Sequence, residues 1–174
     1  MEDDIKQAKN GNQEAFIRLI KINQPSLYRV SKAIVKTDED CADAIQETIL
    51  KAYHAIHTLR EPNYFKTWLI RILINECKRI LQRKKHLVSL IELKQTQTTT
   101  DDYGQIEIQE IVDSLEEELR IIVILYYFDD LPIKKISQIL DQPIGTVKSR
   151  LHRARLKLAN LFELPNDHGK ELMS

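Results

Sequence analysis

Between residues 64 and 85 the chain sets Leu69, Ile70, Leu73, Ile74, Cys77, Ile80 and Leu81 three or four positions apart. At 100° per residue these seven fall within roughly 140° of a helical wheel, a full core stripe for a helix and an impossible pattern for a half-buried strand. The same spacing recurs along most of the chain, which has only 4 Gly in 174 residues and few valines, so a sheet has little to build on. Helices are predicted at about 12–23, 26–36, 39–58, 64–85, 105–118, 119–128, 133–140 and 146–162. Pro25, Pro62, Pro132 and Pro143 each fall between these segments, where a missing amide hydrogen costs nothing.

The segment 89–104 contains the polar run QTQTTTDD, without periodicity or a capping pattern, and reads as a flexible linker. It divides the chain into an N-terminal unit (1–88) and a C-terminal unit (105–174). Each is too short for a large core, so both are expected to be compact helical bundles. The expected fold is all-α: two small bundles joined by 89–104.

Charge is sorted along the chain, although 26 Lys+Arg balance 26 Asp+Glu. Residues 63–86 hold Lys66, Arg71, Lys78, Arg79, Arg83, Lys84 and Lys85 against Glu76 alone, and 145–160 hold Lys148, Arg150, Arg153, Arg155 and Lys157 with no acid. Between them, 105–131 opposes eight acidic side chains to Arg120. Two separated basic blocks suggest two contacts with a polyanion.

Several classes of function find no residues to attach to. No apolar stretch approaches the roughly 18 residues of a membrane span, and the opening MEDDIKQAKNGN is acidic rather than signal-like, so a cytoplasmic protein is expected. Cys41 and Cys77 then default to reduced thiols, with no disulfide. His54, His57 and a cysteine make a poor zinc site, which wants four ligands. There is no P-loop, nucleophile elbow or HExxH pattern. No enzyme activity, metal, cofactor or small-molecule ligand is expected.

The stretch 132–160, PIKKISQILDQPIGTVKSRLHRARLKLAN, follows the helix-turn-helix plan. Ile133, Ile136, Ile139 and Leu140 give a short helix one buried face. Gln142–Gly145 form the turn, with Gly145 free to take positive φ and Thr146 a plausible N-cap. On the second helix Val147, Leu151, Ala154 and Leu158 share one face. Ser149, His152, Arg153 and Leu156 lie opposite, flanked by Lys148, Arg150, Arg155 and Lys157. That arrangement suits a helix in a major groove, central side chains on base edges and flanking cations on phosphates.

IGTVKSRLHRARLKL resembles region 4 of bacterial sigma factors of the extracytoplasmic-function group, whose GTVKSRLxRAR helix reads the minus-35 promoter element. The upstream DSLEEELRIIVILYYFDDLPIKKISQIL is similar to the same region, although Glu116 and Asp130 stand where typical members carry Pro and Gly. The resemblance implies that Lys148, Ser149, His152, Arg153 and Arg155 face minus-35 DNA. On the predicted helix 39–58, Ile45, Ile49, Ala52, Tyr53 and Ile56 make the buried stripe, leaving Asp43, Glu47, Leu50, Lys51 and His54 outside. An acidic face with the outward Leu50 suggests a protein partner; DCADAIQETILKAYHAI resembles sigma region 2.2, which docks on the polymerase largest subunit, and the resemblance implies that Asp43, Gln46 and Glu47, with Leu50 beside them, serve polymerase docking.

On the helix 64–85, Trp68 and Ile72 fall outside the core stripe, among Arg71, Asn75, Lys78, Arg79, Gln82 and Arg83. Cations track a backbone while rings hold an unstacked base, a composition suited to separated strands. Geometry alone leaves Trp68 equally able to fold inward. FKTWLIRILINECKRILQRKK resembles sigma regions 2.3 and 2.4, and the loop before it corresponds to the one that captures a flipped minus-10 base. The resemblance therefore implies a minus-10 set of Asn63, Tyr64, Trp68, Arg71, Asn75, Arg79 and Arg83.

It covers about residues 12–164. What it implies is a sigma factor that binds core RNA polymerase and promoter DNA, directs transcription initiation at a stress-type regulon, and is held by an anti-sigma factor, commonly membrane-anchored. An autonomous helix-turn-helix transcriptional regulator is the alternative; it would bind its operator without polymerase.

Overall fold

The computed structural model describes residues 1–91 and 108–161, and among these every regular element is helical. The N-terminal unit comprises α1 (Glu2–Lys9), α2 (Gln13–Val35), α3 (Asp38–Ala55) and α4 (Phe65–Ile91), with single 3-10 turns at Ile56–Thr58 and Pro62–Tyr64. The C-terminal unit comprises α5 (Ile108–Asp113), α6 (Glu117–Val123), a π-helical turn over Ile124–Phe128, α7 (Ile133–Leu140) and α8 (Ile144–Leu161). The expected linker falls mostly on 92–107, outside the described residues, and α4 runs past the boundary expected at residue 88.

The α4 stripe is the spine of the first bundle. Leu69, Ile70, Leu73, Ile74 and Cys77 are all buried, joined by Phe65, while Ile80 and Leu81 are half-buried towards the end. α2 and α3 pack against it and α1 closes over α2. The α3 stripe is rotated from expectation: Cys41, Ala44, Thr48 and Ala52 are buried, Ile45 and Ile49 half-buried, and Tyr53 exposed with its ring edge-on to Phe16. Small residues win the centre because they let α3 approach α2 and α4 closely. Two carboxylates on this contact are buried yet paired: Asp40 of α3 with Lys84 of α4 at 2.5 Å, and Glu76 of α4 with Lys51 of α3 at 2.5 Å and Arg79 at 2.9 Å.

Four local expectations fail for identifiable reasons. α2 is one helix through Pro25 rather than two. Proline forfeits one backbone bond there, and Asn23, buried on α2, sends its side-chain amide to the Leu19 carbonyl. α1 has no counterpart among the expected helices; Ile5 and Ala8 alone seat it on the core. The break expected at 118/119 lies at Ser114–Glu116, where Glu116 takes an extended conformation (φ −55°, ψ 142°) that a proline would also adopt. Finally, the helix-turn-helix turn takes its left-handed residue at Asp141 (φ 54°) and not at Gly145, which lies within α8. Thr146 is therefore inside the helix rather than its N-cap.

The second bundle is organised around α6. Leu119 through Leu125 are buried without a break, Arg120 included, and α8 packs on one side. Val147, Leu151 and Ala154 are the buried face of α8, as expected. The two bundles also touch. α2 lies against α6 and the π-helical turn, and α4 against α7.

Candidate nucleic-acid interface

On α8 the groove-facing set is presented to solvent. Lys148, Ser149, His152, Arg153 and Arg155 are all exposed, opposite the buried Val147–Leu151–Ala154 face. The flanking cations divide by what they already hold. Arg150, half-buried, donates to the Gln142 side chain at 2.7 Å and pairs with Glu118 at 2.6 Å, so it fastens α8 to the turn and to α6. Arg155 donates from Nε to the Tyr127 hydroxyl at 2.7 Å and lies over the Tyr126 and Tyr127 rings. Lys157 pairs with Glu116 at 2.7 Å and holds that carboxyl below its usual range. Lys148 and Arg153 enter no ion pair among the described residues, which leaves their full charge for a ligand. The turn itself is tight: the Ser137 hydroxyl donates to the Gln142 carbonyl at 2.5 Å, which fixes the angle between α7 and α8.

The second basic face lies on α4 and the loop before it. Asn63, Tyr64, Arg71, Asn75, Arg79 and Arg83 are exposed. Trp68 is half-buried, its ring tilted against Phe65 at 5.9 Å between centroids, so it is seated on the core at one edge and open at the other. Arg79 spends its charge on Glu76, whereas Arg71, Lys78 and Arg83 enter no ion pair among the described residues.

Asp43, Gln46, Glu47 and Leu50 line the outer side of α3, all exposed, Leu50 by 49% despite its apolar side chain. Asp43, Gln46 and Glu47 share a groove of about 300 Å³ with Glu76, Arg79, Ile80 and Arg83 of α4. The acidic face of α3 and the end of the basic face of α4 are thus two walls of one depression, a juxtaposition that separate helical wheels could not reveal. Cys41 and Cys77 are buried free thiols. Burial pushes Cys41 up and Cys77 to about 12, so neither is a ready nucleophile or ligand.

Two residues that sequence reasoning passed over are the buried charges Asp129 and Arg120. Arg120 donates to the Asp113 carbonyl at 2.7 Å, closing the α5–α6 corner. For Arg120 the available signal was a lone charge inside an apolar run, LRIIVIL, whereas Asp129, beside Asp130, carried none.

Comparison with known proteins agrees with this geometry. Residues 19–86 match Sigma-70 region 2 and residues 105–158 match Sigma-70, region 4. The RNA polymerase sigma factor SigV of Bacillus subtilis (strain 168) is 30% identical over 157 residues, spanning 88% of this chain and 93% of that protein. The ECF RNA polymerase sigma factor SigW of the same organism is 31% identical over 170 residues, 87% and 90% of the two chains. Among solved structures, CnrH in complex with the cytosolic domain of CnrY has the same fold, with a TM-score of 0.68 at 21% identity over 93% of this chain and 96% of that one. The sigma factor RpoE in complex with the anti-sigma factor NepR from Bartonella quintana gives 0.72 at 22% identity over 86% and 98%. With two sigma regions in order and curated relatives matched nearly end to end, this chain belongs to the extracytoplasmic-function RNA polymerase sigma factors.

Proposed function

We propose that the two units divide the work of a sigma factor as follows. Residues 1–88 dock on core RNA polymerase through Asp43, Gln46, Glu47 and Leu50 and hold the melted minus-10 strand with Asn63, Tyr64, Trp68, Arg71, Asn75, Arg79 and Arg83. Residues 105–174 read the minus-35 duplex through Lys148, Ser149, His152, Arg153 and Arg155, with 89–104 as the tether. The observation that carries this reading is that all three sets reach solvent, with Lys148 and Arg153, in no ion pair among the described residues, central on α8 and a half-open Trp68 among cations on α4. The work is done in the cytoplasm, where polymerase is. Control falls to an anti-sigma protein, a reading supported by the two solved structures of the same fold, CnrH in complex with the cytosolic domain of CnrY and RpoE in complex with the anti-sigma factor NepR.

Run-off transcription with purified core polymerase tests this. Addition of the chain should produce promoter-specific transcripts, and Glu47→Lys should abolish them by lowering affinity for core while leaving helix content intact. No transcript with core, together with tight and sequence-specific duplex binding by the chain alone, would turn the reading to an autonomous regulator. For control, deleting the cognate inhibitor should switch the target promoters on in unstressed cells. Recovery of only polymerase, and no inhibitor, by pull-down from unstressed wild-type cells would mean that regulation is by synthesis.

A further inference from the structure

Three independent features of the contact between the bundles point the same way. The first is α6. A helix of a small bundle needs one buried stripe, whereas the run from Leu119 in α6 to Leu125 in the π-helical turn is buried without a break, and α6 packs both on α8 of its own bundle and on α2 of the other. The second is Asp129. Its side chain is wholly buried and accepts no hydrogen bond from its own bundle. Both cations that reach it come from the other one: Arg29 of α2 at 3.2 Å and Lys66 of α4 at 3.1 Å, with Lys66 also donating to the Asp129 carbonyl at 3.0 Å. A carboxylate without those partners would not be left out of water. The third is Lys135 of α7, which donates to the Asn63 carbonyl at 3.3 Å and sets its ammonium 5.3 Å from the centre of the Tyr64 ring.

From these we infer that α2, the start of α4 and the turn before it form a docking surface whose occupant is this chain's own C-terminal bundle. Asp129 is its latch, and the free sigma factor closes on itself without an inhibitor. Closure sets Lys135 of α7 against the Asn63 carbonyl and one side of the Tyr64 ring, so a strand entering the loop must displace it, although both residues keep exposed surface. This last consequence rests on the assignment of that loop to minus-10 DNA. A closed majority lowers apparent affinity for strand by the fraction that is open.

Small-angle X-ray scattering of the full free chain tests the closure without DNA. Asp129→Lys, which meets Arg29 and Lys66 with a third cation, should raise the radius of gyration above wild type at unchanged helix content. The reversal Arg29→Asp/Lys66→Asp/Asp129→Lys should return it to the wild-type value. Should Asp129→Lys fail to fold, Arg29→Glu, from the opposite side of the same contact, serves the same measurement. A wild-type chain already as extended as either variant overturns the closure, and a triple variant that stays extended overturns the latch. A labelled single-stranded minus-10 oligonucleotide supplies the second arm. If about nine molecules in ten are closed, the opened variant should bind it roughly tenfold more tightly. Opening with no gain in strand binding would leave the docking in place and remove the loop from the DNA-binding set.

Discussion

Asp130 holds φ at 52°, a left-handed backbone in which an ordinary β-carbon crowds the following carbonyl. The family pattern that the sequence resembles has glycine at this position, and the conformation accounts for it: the turn from the π-helical segment into α7 takes a left-handed residue. Asp130→Gly, at an exposed position outside every proposed contact, should therefore raise stability by about 0.5–1 kcal/mol, seen as a higher melting temperature with transcription unchanged. A lower melting temperature would mean that the aspartate side chain contributes to the turn. At the DNA face, free cations and occupied ones should behave differently. Arg153→Ala is expected to cost about 1–3 kcal/mol and change preference at one or two minus-35 positions. Lys157→Ala should weaken all sequences alike and only slightly, because its ammonium already serves Glu116. Selection on randomised minus-35 duplexes separates the two, and unchanged base preference in Arg153→Ala would mean that α8 is turned differently in the groove. Solvent-facing identities such as Lys148, Ser149 and Arg153 were legible in sequence because a helical wheel needs only a correct core stripe. The commitments of Arg150 and Arg155 were not, since Glu118 and Tyr127 lie one helix away and meet them only after folding.

Whole helices were readable where apolar spacing was dense, and α4 and α8 kept their predicted faces. α2 was misread because proline was weighed as a local breaker, while tertiary packing of Leu19, Leu27, Val30 and Ile34 on one core outweighs one lost backbone bond. The rotated α3 stripe has a similar origin. Its isoleucines suggested a hydrophobic face, but the close approach of three helices favours Cys41, Ala44, Thr48 and Ala52 at the centre and leaves Ile45 and Ile49 on the shoulder. What then ties the far ends of α3 and α4 is electrostatic. Burial raises the Asp40 carboxyl, but the Lys84 hydrogen bond and the Thr37 hydroxyl together outweigh it and hold it below its ordinary value of 3.8. A carboxyl depressed on folding adds stability above its unfolded pKa, and that stability disappears as pH falls through the lower folded value. Lys84→Met should accordingly be less stable than wild type near neutrality, with the gap closing as pH drops through and below 3.8. Denaturant melts at several pH values measure this. A gap independent of pH would assign the loss to the packing of the lysine stem instead.

At the scale of the whole molecule, the sorting of charge into two basic blocks around an acidic segment was legible in sequence, and the family resemblance implied a DNA contact for each, on separate bundles. The contact between the bundles was illegible, because Arg29, Lys66 and Asp129 are distant in sequence and each looks like an ordinary surface charge. Geometry now makes a demand on function. Elements 25 base pairs apart at about 3.4 Å each lie roughly 85 Å from one another along duplex. The 16 residues from 92 to 107, fully extended at about 3.3–3.6 Å each, reach no more than about 58 Å. Residues Lys135 and Asn63 in contact, as here, leave the bundles far short of that span. Something else must hold them apart, and core polymerase is the body that the docking face of α3 is proposed to engage. The free chain should thus bind a complete promoter no more tightly than a fragment carrying either element alone. In complex with core, two engaged elements should exceed one by about 10²–10⁴ in affinity, and lengthening the spacer by half a helical turn should erase the gain. Titration of minus-35-only, bubble-only and complete templates with the chain, with and without core, gives the comparison. A free chain that already binds the complete promoter hundreds of times more tightly than its parts would mean that it spans the two elements unaided, and the closed contact would then play no part in how it meets DNA.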